Sequence, residues 1–131
     1  MEPVFLTLED ILQIHAEQID IYGGTHGIRD LDGLESAVAT PQASFGGEYL
    51  HSTIPAMAAA YLFHICQNHP FLDGNKRAGS DAAISFLFVN DLRLAMTQPD
   101  LIDLVLGVAS GVIDKAKLTQ RFESCCQPLL S

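Results

Sequence analysis

The longest apolar stretch of the chain is "IPAMAAAYLFHI", Ile54 to Ile65. A bilayer span needs about 20 apolar residues, so this run is too short to cross a membrane, and it carries His64. It reads as a helix from about Ile54 to Asn68, with Pro55 in the first turn, where a missing N–H costs nothing. The rest of the chain repeats the helical period. Thr7 and Asp10 form a capping box, with Leu6 and Ile11 as a hydrophobic staple. Leu8, Ile11, Leu12, His15 and Ile19 then recur on one face until Tyr22-Gly23-Gly24. Asp32 to Glu35 offers a second capping box for a short helix that Thr40-Pro41 stops. "PQASFGGEYLHST", residues 41 to 53, has no period and reads as a surface loop.

After a turn at His69 to Asp73, another helix is expected from about Asn75 to Asn90, with the small apolar side Ala82, Ala83, Phe86, Leu87 for close packing. "RLAMTQPD" is a connector, partly extended, and helices from about Pro99 to Ser110 and Asp114 to Cys126 complete the chain. The expectation is an all-α fold of about six helices in one domain spanning residues 1–131.

The net charge of −9 argues against broad nucleic-acid binding, direct DNA contact or attachment to an anionic membrane, since each needs a basic face. Cys66, Cys125 and Cys126 make an odd number without C-x-x-C spacing, which fits neither a disulfide framework nor a zinc site. No basic region followed by an apolar stretch opens the sequence, so a reduced, cytoplasmic protein is expected.

Against this acidic background, "CQNHPFLDGNKRAGS" places Lys76 and Arg77, two of seven basic residues, in the first turn of a helix. Cations there oppose the helix dipole, so structure alone does not ask for them. An anion among the unpaired N–H groups removes the conflict, and the site suits phosphate. Asp73 taken alone reads as an N-cap ahead of a metal ligand and can be both; Mg²⁺ favours one or two carboxylates plus phosphate oxygens. His69 could accept a proton from an attacking hydroxyl, and Phe71 should point into the core. Base, metal ligand and anion cradle together describe phosphoryl or nucleotidyl transfer. His15, His26 and His51 have no partner pattern and read as surface or satisfied polar residues; His64 and His69 do not share a helix face.

"HPFLDGNKR", His69 to Arg77, resembles the signature H-x-F-x-[D/E]-G-N-[G/K]-R of the Fic/Doc family. "YGGTHGIRDLDGLESA" and "FGGEY" are similar to segments of its death-on-curing (Doc) branch. The resemblance implies an all-helical fold in which His69 deprotonates a hydroxyl of a target protein and Asp73 holds Mg²⁺. It further implies that Gly74, Asn75 and Lys76 supply an anion hole and that Arg77 contacts the phosphates of ATP or another nucleoside triphosphate. A flap at Phe45, Gly46, Gly47, Glu48 and Tyr49 would position the target. It implies a toxin restrained by a cognate antitoxin and acting on a translation factor such as elongation factor Tu.

Where AMP-transferring members carry Gly and a second Arg, this chain has Lys76 and Ser80. Both departures favour phosphate transfer over AMP transfer, although the phosphorylating type has a less regular motif. A catalytically silent binding module is the reading from another class. "SFGGEY" and "TQRFES" fit the family's inhibitory pattern poorly, so no built-in inhibitor is expected.

Overall fold

Helix α3 (Ile54–Asn68) is apolar on nearly every side, and ten of its fifteen residues are buried, which makes it the axis of the fold. The structure is a computed structural model and describes residues 2–130. Thr53 caps α3 by accepting the Ala56 N–H at 3.1 Å, and Pro55 occupies the first turn as its sequence position requires. Against α3 pack α4 (Asn75–Val89), α6 (Lys115–Cys125), α2 (Leu31–Ala39) and α5 (Gln98–Ala109), while α1 (Leu8–Tyr22) lies on α4.

Small residues set the closest approach. A Cβ at Gly79 would lie 3.1 Å from Leu62 Cδ1 and 3.3 Å from the Leu62 carbonyl oxygen. Together with buried Ala78, Ala82 and Ala83, this lets α4 sit hard against α3. Phe86, Leu87, Leu62, Ile65 and Phe122 fill the remaining core with no exposed surface. Each such side chain stabilises the fold by about 1.5–3 kcal/mol through burial.

The capping box of α1 is present: the Asp10 N–H donates to Thr7 Oγ1 at 3.1 Å, and the Thr7 N–H to Asp10 Oδ2 at 2.8 Å. Ile11, His15 and Ile19 form its buried face, and the chain leaves the helix at Gly23 with φ 87°.

The start of α2 differs from the sequence expectation. Its cap is Asp30, whose carboxylate accepts the Gly33 N–H at 2.9 Å, not Asp32. The cause is tertiary: the Pro70 carbonyl accepts both the Arg29 and Asp30 N–H groups, at 2.7 and 3.0 Å, and so holds Asp30 extended. A 3₁₀ turn (Thr40–Gln42) extends α2 and buries Pro41.

The segment read as a surface loop contains a hairpin. Strands β1 (Ser44–Phe45) and β2 (Glu48–Tyr49) pair antiparallel through Gly46-Gly47, at φ 62° and 83°. Two positive φ values are what a type I′ turn needs. The connector after α4 is partly extended: β3 (Leu92–Leu94) pairs with β4 (Cys126–Pro128). These short strands leave the architecture all-α, with six α-helices among the described residues. No helix among those residues is long and apolar enough to cross a membrane.

Elsewhere along α3, Lys115 Nζ donates to His64 Nε2 at 2.9 Å, and His51 Nδ1 is buried without a hydrogen-bond partner among the described residues. Burial, then the charge of Lys115, then His51, hold the His64 imidazole down to about 4, so it is neutral at pH 7. An unfolded His titrates near 6.5, so the unfolded chain takes the proton first as pH falls. The stability contributed by neutral His64 is therefore complete above about pH 6.5 and lost as pH falls toward 4. Urea midpoints of the wild type should thus drop more than those of His64→Gln between pH 7 and 4.5. Parallel pH profiles would contradict this assignment.

Candidate active site

The chain reverses between α3 and α4 within residues 69–74, and this turn carries most of the motif. α3 ends at His69, which adopts the left-handed conformation (φ 46°, ψ 54°) because Pro70 cannot continue the helix. That conformation is costly for a residue with a Cβ and persists only where neighbours impose it. Arg29 is such a neighbour. Its Nε donates to the His69 carbonyl at 2.6 Å and its Nη2 to the Asn68 carbonyl at 2.9 Å, capping α3 with a positive charge. The Leu72 N–H donates to the Gly27 carbonyl at 3.0 Å, and Asn68 Nδ2 to the Gly33 carbonyl at 2.9 Å. Residues 27–33 are thus laced to the turn. The His69 imidazole is exposed and makes no hydrogen bond among the described residues.

Phe71 is 1% exposed and stacks on the His15 ring, centroids 3.7 Å apart and planes within 3°. His15 Nε2 lies 2.7 Å from the Asp73 carbonyl oxygen and must be the donor, since a carbonyl only accepts. Asn75 closes the turn from the other side. Its Oδ1 accepts the Phe71 N–H at 2.9 Å, and its Nδ2 donates to the Phe71 carbonyl at 3.0 Å. The Asn75 side chain is therefore occupied within the turn, and what it can offer an anion is its backbone N–H.

Asp73 does not cap α4. Its Oδ1 accepts the Gly74 N–H at 2.8 Å and its Oδ2 the Thr25 N–H at 3.2 Å. The carboxylate is exposed and keeps lone pairs on both oxygens. A Cβ at Gly24 would lie 2.7 Å from Asp73 Oδ2, so the loop after α1 shapes the place of this carboxylate. No cluster of three or more His, Cys, Asp or Glu suited to a metal occurs among the described residues. One carboxylate completed by phosphate oxygens and water is the set Mg²⁺ favours, so Asp73 fits that ion.

Gly74 takes the N-cap position at φ 75° and makes no side-chain cap. A Cβ there would meet Ile19 Cδ1 at 3.0 Å, so the glycine answers its backbone angle and its packing on α1 rather than opening room for a ligand. The other five α-helices are capped by Thr7, Asp30, Thr53, Thr97 and Asp114. The N–H groups of Asn75, Lys76 and Arg77 have no hydrogen-bond partner among the described residues. Lys76 and Arg77 are exposed, and among the described residues no carboxylate lies within ion-pair distance of either; the ion pair found there is His26–Asp20, at 3.0 Å. The Arg77 guanidinium rests on the Tyr22 ring, 4.5 Å from its centroid.

The turn thus brings together His69, Asp73, Gly74, Asn75, Lys76 and Arg77. The hairpin of Phe45, Gly46, Gly47, Glu48 and Tyr49 stands apart: its ring contact is Tyr49 edge-on to Phe5, centroids 5.6 Å apart, and no hydrogen bond joins it to the turn among the described residues. Phe45 is 83% exposed at its tip. Sequence reasoning missed Arg29, Thr25 and the role of His15. The signal for His15 was its place between Ile11 and Ile19, since a buried ring nitrogen needs a partner. Arg29→Ala should lower stability by about 1–2 kcal/mol, two charge-assisted bonds discounted for exposure, and Arg29→Lys should recover little because an ammonium cannot fork across both carbonyls. Urea denaturation checks this, and an unchanged midpoint for Arg29→Ala would contradict it.

Comparison with known proteins agrees with this geometry. The sequence profile described as the Fic/DOC family matches residues 5–87, from the start of the core through most of α4. The chain is similar to the "Protein kinase doc" of Escherichia phage P1, 31% identical over 105 residues, covering 80% of this chain and 82% of that protein. It is also similar to the "Toxin Doc" of Mycolicibacterium smegmatis, 37% identical over 91 residues, covering 70% of this chain and 68% of that one. A matched motif, an all-helical core and two such relatives lead to one assignment: the chain belongs to the Fic/DOC family, in its death-on-curing branch.

Proposed function

We propose that this protein is a Doc-type toxin enzyme that transfers the terminal phosphate of a nucleoside triphosphate, such as ATP, to a hydroxyl of a target protein and so arrests growth. The observation that carries the reading is the bare N-terminus of α4. Three N–H groups and two cations that have no hydrogen-bond or ion-pair partner among the described residues converge there, one turn of chain from an exposed His and a carboxylate. The names of the two relatives, a protein kinase and a toxin, support the same reading.

In this reaction the target hydroxyl oxygen attacks the γ-phosphorus while His69 accepts its proton. The bond from that phosphorus to the β–γ bridging oxygen breaks, and the diphosphate leaves with the electron pair. The N–H groups of Asn75, Lys76 and Arg77 hold the phosphate oxygens, together with the side-chain charges of Lys76 and Arg77. Mg²⁺, held by Asp73 and phosphate oxygens, would supply neutralisation of charge on the phosphates. The hairpin around Phe45 and Tyr49 is the surface proposed to align the target segment, and a translation factor such as elongation factor Tu is the proposed target, in the cytoplasm. A cognate antitoxin is the proposed restraint.

Two details favour phosphate over AMP. Lys76 puts a long cation where a Gly would leave space for the inner phosphates. Ser80 turns its hydroxyl back to the Lys76 carbonyl at 2.8 Å and offers no charge to a phosphate on that side. Expression without an antitoxin should arrest growth, and His69→Ala at equal abundance should relieve it. Intact-mass measurement of the modified target should show added phosphate. Added AMP would replace this reaction with adenylyl transfer, and equal toxicity of folded His69→Ala would leave a binding module.

A further inference from the structure

The chain carries three lysines, Lys76, Lys115 and Lys117, and Lys115 has an imidazole for its partner. Its Nζ lies 2.9 Å from His64 Nε2, a contact that joins the start of α6 to α3. No carboxylate is within ion-pair distance of this amine among the described residues, in a chain where acidic residues outnumber basic ones 16 to 7. The preceding carboxylate, Asp114, is engaged with the backbone: its Oδ1 accepts the Lys117 N–H at 2.9 Å as the cap of α6. Lys115 is half-buried, whereas Lys117 is exposed. We infer that Lys115 is a nucleophilic lysine and the place where the chain is acylated by small acyl phosphates.

A lysine attacks carbon only as the neutral amine, so its reactivity depends on how the surroundings treat the positive charge. The surroundings of Lys115 disfavour that charge. Burial holds the amine below the ordinary lysine range. The residue also opens α6, at the positive end of the helix dipole. Burial, then the charge of Lys115, hold both His51 and His64 below the ordinary histidine range. Both rings are therefore neutral at pH 7 and give the amine no counter-charge. A neutral amine that donates one N–H to His64 Nε2 keeps its lone pair clear of the ring, ready for an acyl carbon. In the reaction Lys115 Nζ bonds to that carbon, and the bond from the carbon to the phosphate oxygen breaks. Phosphate leaves with the electron pair and takes one amine proton. The product is a neutral amide whose remaining N–H can still donate to His64, so the contact between α6 and α3 survives while the charge that burial penalises is gone. A metal is the other use of neighbouring imidazoles, but no group of three or more His, Cys, Asp or Glu suited to one occurs among the described residues.

Acetyl phosphate is the probe. The whole protein is incubated with it at pH 7, and mass spectrometry of peptides cut at acidic residues follows acetylation of Lys115 and Lys117 in time. Lys117 is the internal reference, two residues away on the same helix; Lys76 is left out because it belongs to the phosphate site. Lys115 should acetylate at least about threefold faster than Lys117, a gain in neutral amine that exceeds what half-burial takes from access. His64→Glu sets a carboxylate beside the amine and should bring Lys115 down to the rate of Lys117 or below. Equal or slower acetylation of Lys115 in the wild type overturns the inference. So does a fast Lys115 that His64→Glu leaves as fast, since the pairing with His64 would then not be the cause. The wild-type ratio needs no variant, so it decides even if His64→Glu fails to fold.

Discussion

The site depends on the turn that joins α3 to α4, and that turn depends on Asn75 gripping both backbone groups of Phe71. The reciprocal pair fixes where Phe71 enters the core, and the stack of Phe71 on His15 then fixes α1 against the turn. His15 in turn holds the Asp73 carbonyl, so a change anywhere in this chain of contacts reaches the acidic residue beside α4. Neighbours sharing a network of this kind act on each other rather than adding independently. The left-handed backbone of His69 is the strained part, and the fork of Arg29 on two carbonyls answers it from the loop before α2.

The same region gives up stability that the rest of the fold takes. Five α-helices receive a Thr or Asp cap, each worth about 1 kcal/mol, and α4 receives none. Lys76 and Arg77 then stand at the positive end of its dipole without a carboxylate partner among the described residues, although acidic residues outnumber basic ones 16 to 7. Local rules broken together at one place, in a chain that obeys them elsewhere, mark a place built for something other than folding. A bound polyanion would satisfy the free N–H groups, the dipole and both cations at once. Ligand binding should therefore stabilise this end of α4 most.

How far the sequence could be read follows from where each signal lies. α1 and α3 carry long helical periods and local caps, and α4 a long period opened by a Gly turn, so their bounds were legible to within a residue or so. The start of α2 was not, because the Pro70 carbonyl, distant in sequence, decides which Asp is extended enough to cap. Strands of two or three residues show no period, so the hairpin at Gly46-Gly47 and the pairing of Leu92–Leu94 with Cys126–Pro128 escaped notice. The motif residues were named from sequence, but Asp73 looked like a cap when Gly74 holds that position. Arg29 was invisible: its partners are backbone carbonyls, which leave no trace in residue types.

The central claim is that the amides at the start of α4 form the anion cradle. Backbone amide NMR during titration with a Mg²⁺-bound, non-hydrolysable ATP analogue tests it directly. The N–H resonances of Asn75, Lys76 and Arg77 should move the most and gain protection from hydrogen exchange, while those of Gly74 and Ala78, already bonded to Asp73 Oδ1 and the Gly74 carbonyl, should keep the protection they have. Binding that leaves the three amides unshifted, or that shifts a different helix terminus, would contradict the account.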